Sequence, residues 1–279
     1  MNLKFSLILA TVGRTEELKK FLGHLHMQTY ANFELIVVDQ NDDDRLVPIL
    51  KDYKEKFSIL HLRSKKGLSR ARNVGLRYVS GDIVAFPDDD CWYPPDLLER
   101  VANFFEEHPG VDGLTGRSVD ENGESSSGRW DYDAGLINRF NVWKRGISIS
   151  IFLKSKIIEI IGGFDEMLGV GANTPWGSGE ETDYLLRALE EGYKIYYDPT
   201  IAVYHPNSTV YCNNAIKRAR SYAQGMGYVL RKHKYPFWFV LYQFLRPVGG
   251  ILLSLLQGEF RKITYYYNVF SGRVRGWLS

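Results

Sequence analysis

Three consecutive aspartates, Asp88-Asp89-Asp90, end an apolar run in the stretch Phe86 to Trp92. Like charges packed this closely repel one another unless a cation or a set of donors offsets them. Asp88 and Asp90 have the i, i+2 spacing with which two carboxylates on a turn can meet a hard divalent cation, Mg²⁺ or Mn²⁺, that also bridges to substrate phosphates. A solvated acidic turn capping the helix that starts near Pro94 accounts for the same residues with no metal. Other chemically capable groups stand at similar places. Thr11 and Arg14 follow a first apolar run, Asp39 closes a second, and His205 follows a Tyr-rich run. Arg70, Arg72 and Arg77 share one helical stretch, while Glu180, Glu181 and Asp183 crowd the start of another. Each also has a plainer reading. Thr11 and Arg14 can start a helix, Asp39 can be a turn acid, and the arginines can form a solvated basic face. His205 can be structural, and Ser178-x-x-Glu181 is a good capping box.

The segments that must carry these groups alternate in period. Residues 4–10, 33–39, 58–63 and 82–87 are short, apolar and rich in β-branched side chains. Between them, 15–28, 45–57 and 67–80 have helical patterning. Strands alternating with helices of this length predict βαβ units and a doubly wound, largely parallel sheet with helices on both faces. Ligands of such sheets bind beyond the carboxyl ends of the strands, where Thr11, Arg14, Asp39 and the aspartate triplet all fall. After Pro109 the pattern loosens. Residues 116–135 read as a flexible polar loop, 147–153 and 196–205 as strands, and 179–195 as a helix ending at Gly192.

The near-neutral balance of 35 Lys and Arg against 33 Asp and Glu hides a division. Residues 213–279 carry eleven basic residues against one acid, Glu259, so the first 212 carry 24 basic against 32 acidic. An α/β body over 1–212 and a basic, aromatic-rich helical tail over 213–279 are therefore expected to do different jobs. The tail stretch 237–256 approaches the length of a bilayer span, but Gln243, Arg246, Pro247 and Gly249-Gly250 interrupt it. Two short interfacial segments meeting at Arg246-Pro247 are expected, drawn by their cations to anionic lipid. Packing of the tail on the body or on a second copy is the other reading. No recognition motif accompanies the charge, so nucleic acid is not expected as a partner. The two cysteines form no ligand pair, and the short first apolar run makes a poor signal peptide, which points to a reduced cytosolic setting.

Five ordered blocks, LILATVGR, IVVDQ, GLSRARNVGL, GDIVAFPDDDC and SGEETDYLLRAL, together resemble the family 2 glycosyltransferases over about residues 4–205. The resemblance implies the GT-A nucleotide-sugar fold and an inverting single displacement that moves a sugar to a hydroxyl. It assigns the nucleotide side to Thr11, Arg14, Asp39, Arg70, Arg72 and Asn73. Asp88 and Asp89 would lie toward the donor, and Asp88, Asp90 and His205 would hold the cation. Glu181 is then the general base, with Glu180 orienting the acceptor, Trp176 stacking on a sugar, and Glu180 and Asp183 as rivals for the base. A saccharide or lipid-linked acceptor, surface-polysaccharide or glycolipid assembly, and a place on the cytosolic membrane face are the corresponding expectations. A sugar-nucleotide nucleotidyltransferase and a non-catalytic scaffold remain alternatives, although ATVGRTEEL is no glycine-rich phosphate loop.

Overall fold

The computed structural model describes residues 2–207 and 213–279. The chain divides into two compact units. Of the described residues, the larger unit takes those within 1–66, 70–164 and 184–207, and the smaller those within 67–69, 165–183 and 208–279. The described part of the expected tail, 213–279, falls in the smaller unit together with 165–183.

The larger unit is built on eight strands. These are β1 (Phe5–Thr11), β2 (Phe33–Asp39), β3 (Ser58–Arg63), β4 (Ile83–Ala85), β5 (Gly113–Val119), β6 (Gly135–Leu136), β7 (Ile151–Lys154) and β8 (Ile195–Tyr204). They form one sheet in the order β3-β2-β1-β4-β7-β5-β8-β6. The β3-β2-β1-β4 half is parallel throughout, whereas β7 runs antiparallel to both β4 and β5. The helices are α1 (Glu16–His26), α2 (Val47–Lys51), α3 (Leu68–Leu76), α4 (Leu97–Glu107), α5 (Ser155–Ile161) and α6 (Glu180–Glu190). Every residue of β1 is buried, as a strand covered on both faces requires. Phe5, Leu7 and Leu9 join Leu18, Phe21 and Leu22 of α1 and Leu98 and Val101 of α4 in one core. Each fully buried side chain of this kind contributes about 1.5–3 kcal/mol. On the opposite face α3 lies so close that a Cβ on Gly75 would come 2.5 Å from the Ile8 side chain. This is the α/β architecture that the alternating periods predict.

Three expectations change. The segment expected to loosen after Pro109 instead supplies β5, in the interior of the sheet. Its sequence, GLTGRSV, hides the strand because two of its seven residues are glycine. Both glycines answer a close approach: a Cβ at Gly116 would sit 1.9 Å from the Ile201 carbonyl oxygen, and one at Gly113 would sit 2.6 Å from Leu153. The helix expected over 45–57 shortens to α2, after which the chain runs through turns.

The third change lies in the smaller unit, whose long helices are α7 (Asn213–Lys232), α8 (Phe237–Leu256) and α9 (Phe260–Leu278). The two interfacial segments expected to meet at Arg246-Pro247 are one continuous helix, α8, with Pro247 inside it. Proline lacks the N–H that would bond the carbonyl four residues back, here that of Gln243. Arg273 of α9 donates to that carbonyl and so occupies the vacated acceptor. A partner thirty residues downstream removes much of the reason for a break. The pair α7 and α9 packs backbone to backbone. A Cβ on Gly227 would lie 2.2 Å from the Arg273 oxygen, and one on Gly276 would lie 1.9 Å from that of Gln224.

Candidate active site

The aspartate triplet lies where β1 and β4 end, with Asp88 bridged to Ala10 beside the last residue of β1. Each carboxylate has its own partners. Asp89 is the most deeply buried of the three and accepts from the Thr11 hydroxyl at 2.6 Å and from Arg14 Nη1 at 2.5 Å. The same Arg14 nitrogen lies 2.6 Å from Asp90 Oδ2, and His205 Nε2 lies 3.4 Å from Asp90 Oδ1. Asp88 turns to Arg72, whose Nη2 is 3.1 Å away. The repulsion among three acids is therefore met by two guanidiniums, a hydroxyl and an imidazole. Asp89 acts as the strut that ties the β1 loop to the triplet, a role its sequence position gives no sign of.

Burial and charge compete in this cluster. Burial pushes Asp89 above the usual carboxylate range in spite of Thr11 and Arg14. Burial also acts on Asp90, but His205 and Arg14 override it and hold that carboxyl below the usual range. His205 is correspondingly raised: burial alone would lower it, and the Asp90 carboxylate prevails. The Cys91 thiol, fully enclosed and bonded to the Asp88 carbonyl at 3.1 Å, is driven well above its usual value by burial. It is therefore a packing group and not a nucleophile.

Arg72 is completely buried, with its guanidinium 5.4 Å from the Phe164 ring and 5.9 Å from Phe86. Its neighbour Asn73 serves the backbone instead of the crevice. Its amide donates to the Phe164 carbonyl at 3.0 Å and its oxygen accepts from the Phe164 N–H at 2.7 Å. Arg70 of α3 donates to the Lys66 carbonyl just ahead of that helix. Asp39 is fully buried and well supplied. Its Oδ1 accepts from the Asn41 backbone and amide, while Oδ2 lies 3.0 Å from both His61 and Arg63. His61 and Arg63 were missed by the sequence reading, although Arg63 is the register partner of Asp39 and the alternation of β3 puts both on one face.

The expected three-ligand cation site does not assemble. Among the described residues no group of three or more His, Cys, Asp or Glu converges. Asp90 and His205 do converge, and two protein donors completed by phosphate oxygens and water suit a Mn²⁺ or Mg²⁺ ion. Asp88, drawn to Arg72, falls outside that pair.

In the smaller unit, Glu180, Glu181 and Asp183 occupy the first turn of α6, where the helix dipole favours negative charge. The Ser178-x-x-Glu181 capping box does not form. The helix starts at Glu180, and the Ser178 hydroxyl donates to the Tyr222 carbonyl at 2.9 Å. Asp183 is completely buried between Lys232, at 2.7 Å, and His233, at 2.9 Å. Glu180 is also buried, with its carboxyl against Gly169. Trp176 stacks on Tyr228 at 4.1 Å and donates to the Ser279 hydroxyl, so one face of its ring is already covered.

A sheet whose first four strands are parallel, with an acidic cluster at their carboxyl ends, defines an α/β protein with its candidate site beyond the strand ends. Comparison with known proteins identifies the family. The model for glycosyl transferase family 2 matches residues 6–162, more than half of the chain, and the chain belongs to that family. It is 26% identical over 211 residues to the glycosyltransferase AglE of Haloferax volcanii, covering 72% of this chain and 66% of that one. It is 22% identical over 271 residues to a Methanococcus voltae enzyme, covering 89% and 81%. That enzyme is named as a dolichyl N-acetyl-glucosaminyl phosphate diacetamido-dideoxy-glucuronosyltransferase. An uncharacterized glycosyltransferase of Haemophilus influenzae shares 32% identity over 38% of this chain and 36% of its own. The chain thus spans just under two thirds of the Haloferax protein and about a third of the Haemophilus one. Among solved structures, the mannosyltransferase PcManGT of Pyrobaculum calidifontis, with GDP-Man and Mn²⁺, superposes with a TM-score of 0.71 at 14% identity. That match covers 98% of this chain and 87% of the other. Residues 1–349 of S. aureus TarS, with UDP-GlcNAc, give 0.63 at 18% identity, covering 98% and 92%. These likenesses establish the GT-A fold.

Proposed function

We propose that this glycosyltransferase works by inversion, moving a sugar from a nucleotide-diphosphate donor to a hydroxyl of a saccharide or lipid-linked acceptor. The observation that carries the reading is the convergence of Thr11, Arg14, Arg72 and His205 on the three aspartates at the ends of β1 and β4. Thr11, Arg14, Asp39, Arg72 and the donor-side carboxylates Asp88 and Asp89 hold the nucleotide half, while Arg70 and Asn73 support it from α3. Asp90 and His205 would hold a divalent cation, which when bound offsets the charge that grows on the leaving diphosphate. Arg14 supplies further positive charge there. Glu181 takes the proton of the acceptor hydroxyl as its oxygen bonds to the anomeric carbon. The bond from that carbon to the diphosphate oxygen breaks, and its electron pair leaves with the diphosphate. Glu180 and Trp176 orient the acceptor. Because the displacement is single, one base suffices and no covalent sugar–protein intermediate is required.

Calorimetry with UDP and GDP tests the donor half. We expect at least one of them to bind more than about tenfold more tightly with Mn²⁺ than without, about 1.4 kcal/mol, and Asp90→Asn to remove the difference. Equal affinity with and without the ion for both nucleotides overturns the metal-dependent reading.

The acceptor reading draws on the tail. α8 is long and apolar enough to cross a membrane by length and composition. Trp238, Leu241, Tyr242, Leu245, Leu252 and Leu256 of this helix are exposed. With Arg246 and Pro247 within it, we read α8 as lying on the cytosolic face of a membrane and not as crossing it. The name of the Methanococcus relative, a transferase onto a dolichyl-linked sugar phosphate, supports a lipid-linked acceptor and a place in surface-glycan assembly. Sedimentation with vesicles should carry the protein down when phosphatidylserine is included, and Trp238→Ser with Leu245→Ser should release it. Equal sedimentation of wild type and double variant would contradict the assignment.

A further inference from the structure

A recess of about 240 Å³ opens in the larger unit among β5, the segment 125–132 and the middle of β8, and it is lined in part by Arg117, Ser125, Trp130, Asp131, Tyr132 and Thr200. None of these residues belongs to the donor cluster. Tyr132 is 88% exposed, an unusual position for so large a ring. The backbone beside it is nonetheless pinned. The Tyr197 hydroxyl donates to the Asp131 carbonyl at 2.8 Å, and Arg145 Nε donates to the Asp131 carboxylate at 2.8 Å. Trp130 is fixed as well, its indole N–H donating to the Ser126 carbonyl at 3.0 Å. A ring held in water by an anchored chain loses little further entropy when something stacks on it.

The polar lining narrows what that something is. Arg117 lines the recess and its Nε donates to the Pro199 carbonyl at 2.8 Å, which fixes the guanidinium plane and leaves the terminal nitrogens as the fork of donors that a ligand would meet. The lining itself carries one cation, Arg117, and one carboxylate, Asp131, which Arg145 and Lys144, the latter at 3.6 Å, hold in place. A phosphate would face the Asp131 carboxylate in the same lining, and a purely apolar ligand would leave the guanidinium and hydroxyls without partners. A sugar ring meets both requirements. Its C–H face stacks on an aromatic ring, and its vicinal hydroxyls accept from the Arg117 fork and bond to Thr200 and Ser125.

We propose that this recess is a saccharide subsite, separate from the donor cluster, that holds one sugar of an oligosaccharide acceptor or product. The same short segment links it to the chemistry: two residues past Ser125, the Ser127 hydroxyl lies 3.1 Å from His205 Nδ1. The position suits a sugar some units away from the reacting one. The assignment rests on the reading that the acceptor is a saccharide.

Saturation-transfer NMR on the full chain tests it, with maltotetraose, chitotetraose and mannotetraose as probes and with nucleotide diphosphate and Mn²⁺ present to fill the donor cluster. At least one probe should bind. Its affinity should fall about tenfold or more in Tyr132→Ala and in Arg117→Gln, the effect of losing one ring or one fork, and persist in Tyr132→Phe. Hydrolysis of the donor sugar by water should be unchanged in all three variants. No binding of any probe, or binding that Tyr132→Ala and Arg117→Gln leave intact, overturns the subsite. Failure of the wild type to hydrolyse any nucleotide sugar counts against the donor reading instead, and leaves the probe result to stand on its own.

Discussion

Glu181→Gln is expected to lower transfer by roughly 10²–10⁴-fold, the usual contribution of a positioned general base, while nucleotide-diphosphate affinity stays as in the wild type. The amide keeps the size of the side chain but cannot take up the acceptor proton. Glu181 lies in the first turn of α6, where the amide end of the helix favours an ionised carboxylate ready to accept. Transfer assays with saturating donor, paired with calorimetry, separate the two effects. If Glu181→Gln remains active while Glu180→Gln is dead, the base is Glu180. Weakened nucleotide binding in Glu181→Gln would instead place the residue on the donor side.

Asp183→Asn should act on stability. The carboxylate is completely buried and lies within 3 Å of both Lys232 and His233, and Lys232 also pairs with Asp165 at 2.8 Å. Removing one member of a buried ion pair typically costs about 3–5 kcal/mol. Lys232 is partly exposed and keeps Asp165, so the low end, about 3 kcal/mol, applies and corresponds to a fall in Tm of roughly 6–12 °C. The folded fraction should still transfer sugar at a rate close to the wild type. A variant with unchanged Tm and no transfer would show that Asp183 is a catalytic group.

What could be read from the sequence follows the range of the interactions. β2 and β3 lie where their short apolar, β-branched runs put them, because a strand's pattern is local. The cluster at the strand ends was legible for a related reason: a parallel sheet brings Thr11 and the triplet together whatever the loops do. The division of labour within the triplet was not. Which aspartate meets Arg72 and which meets His205 depends on side chains 16 and 115 residues away. β5 escaped because its glycines answer to Ile201 and Leu153, and α8 was expected to break because Arg273 lies far from Pro247. The capping box failed on a similar contact, since Tyr222 takes the Ser178 hydroxyl. In each case a local rule was sound and a distant partner overrode it.

The glycine contacts between α7 and α9 bear on how such enzymes can be recombined. With backbone oxygens where side chains would otherwise begin, neither helix can be exchanged for that of a relative by itself. α8 must travel with them, since the carbonyl that Pro247 leaves open is served from α9. A chimera that grafts α8 alone would carry its proline without its arginine. The unit of exchange is the whole run from α7 to α9, and natural shuffling of this tail would have to respect the same joints.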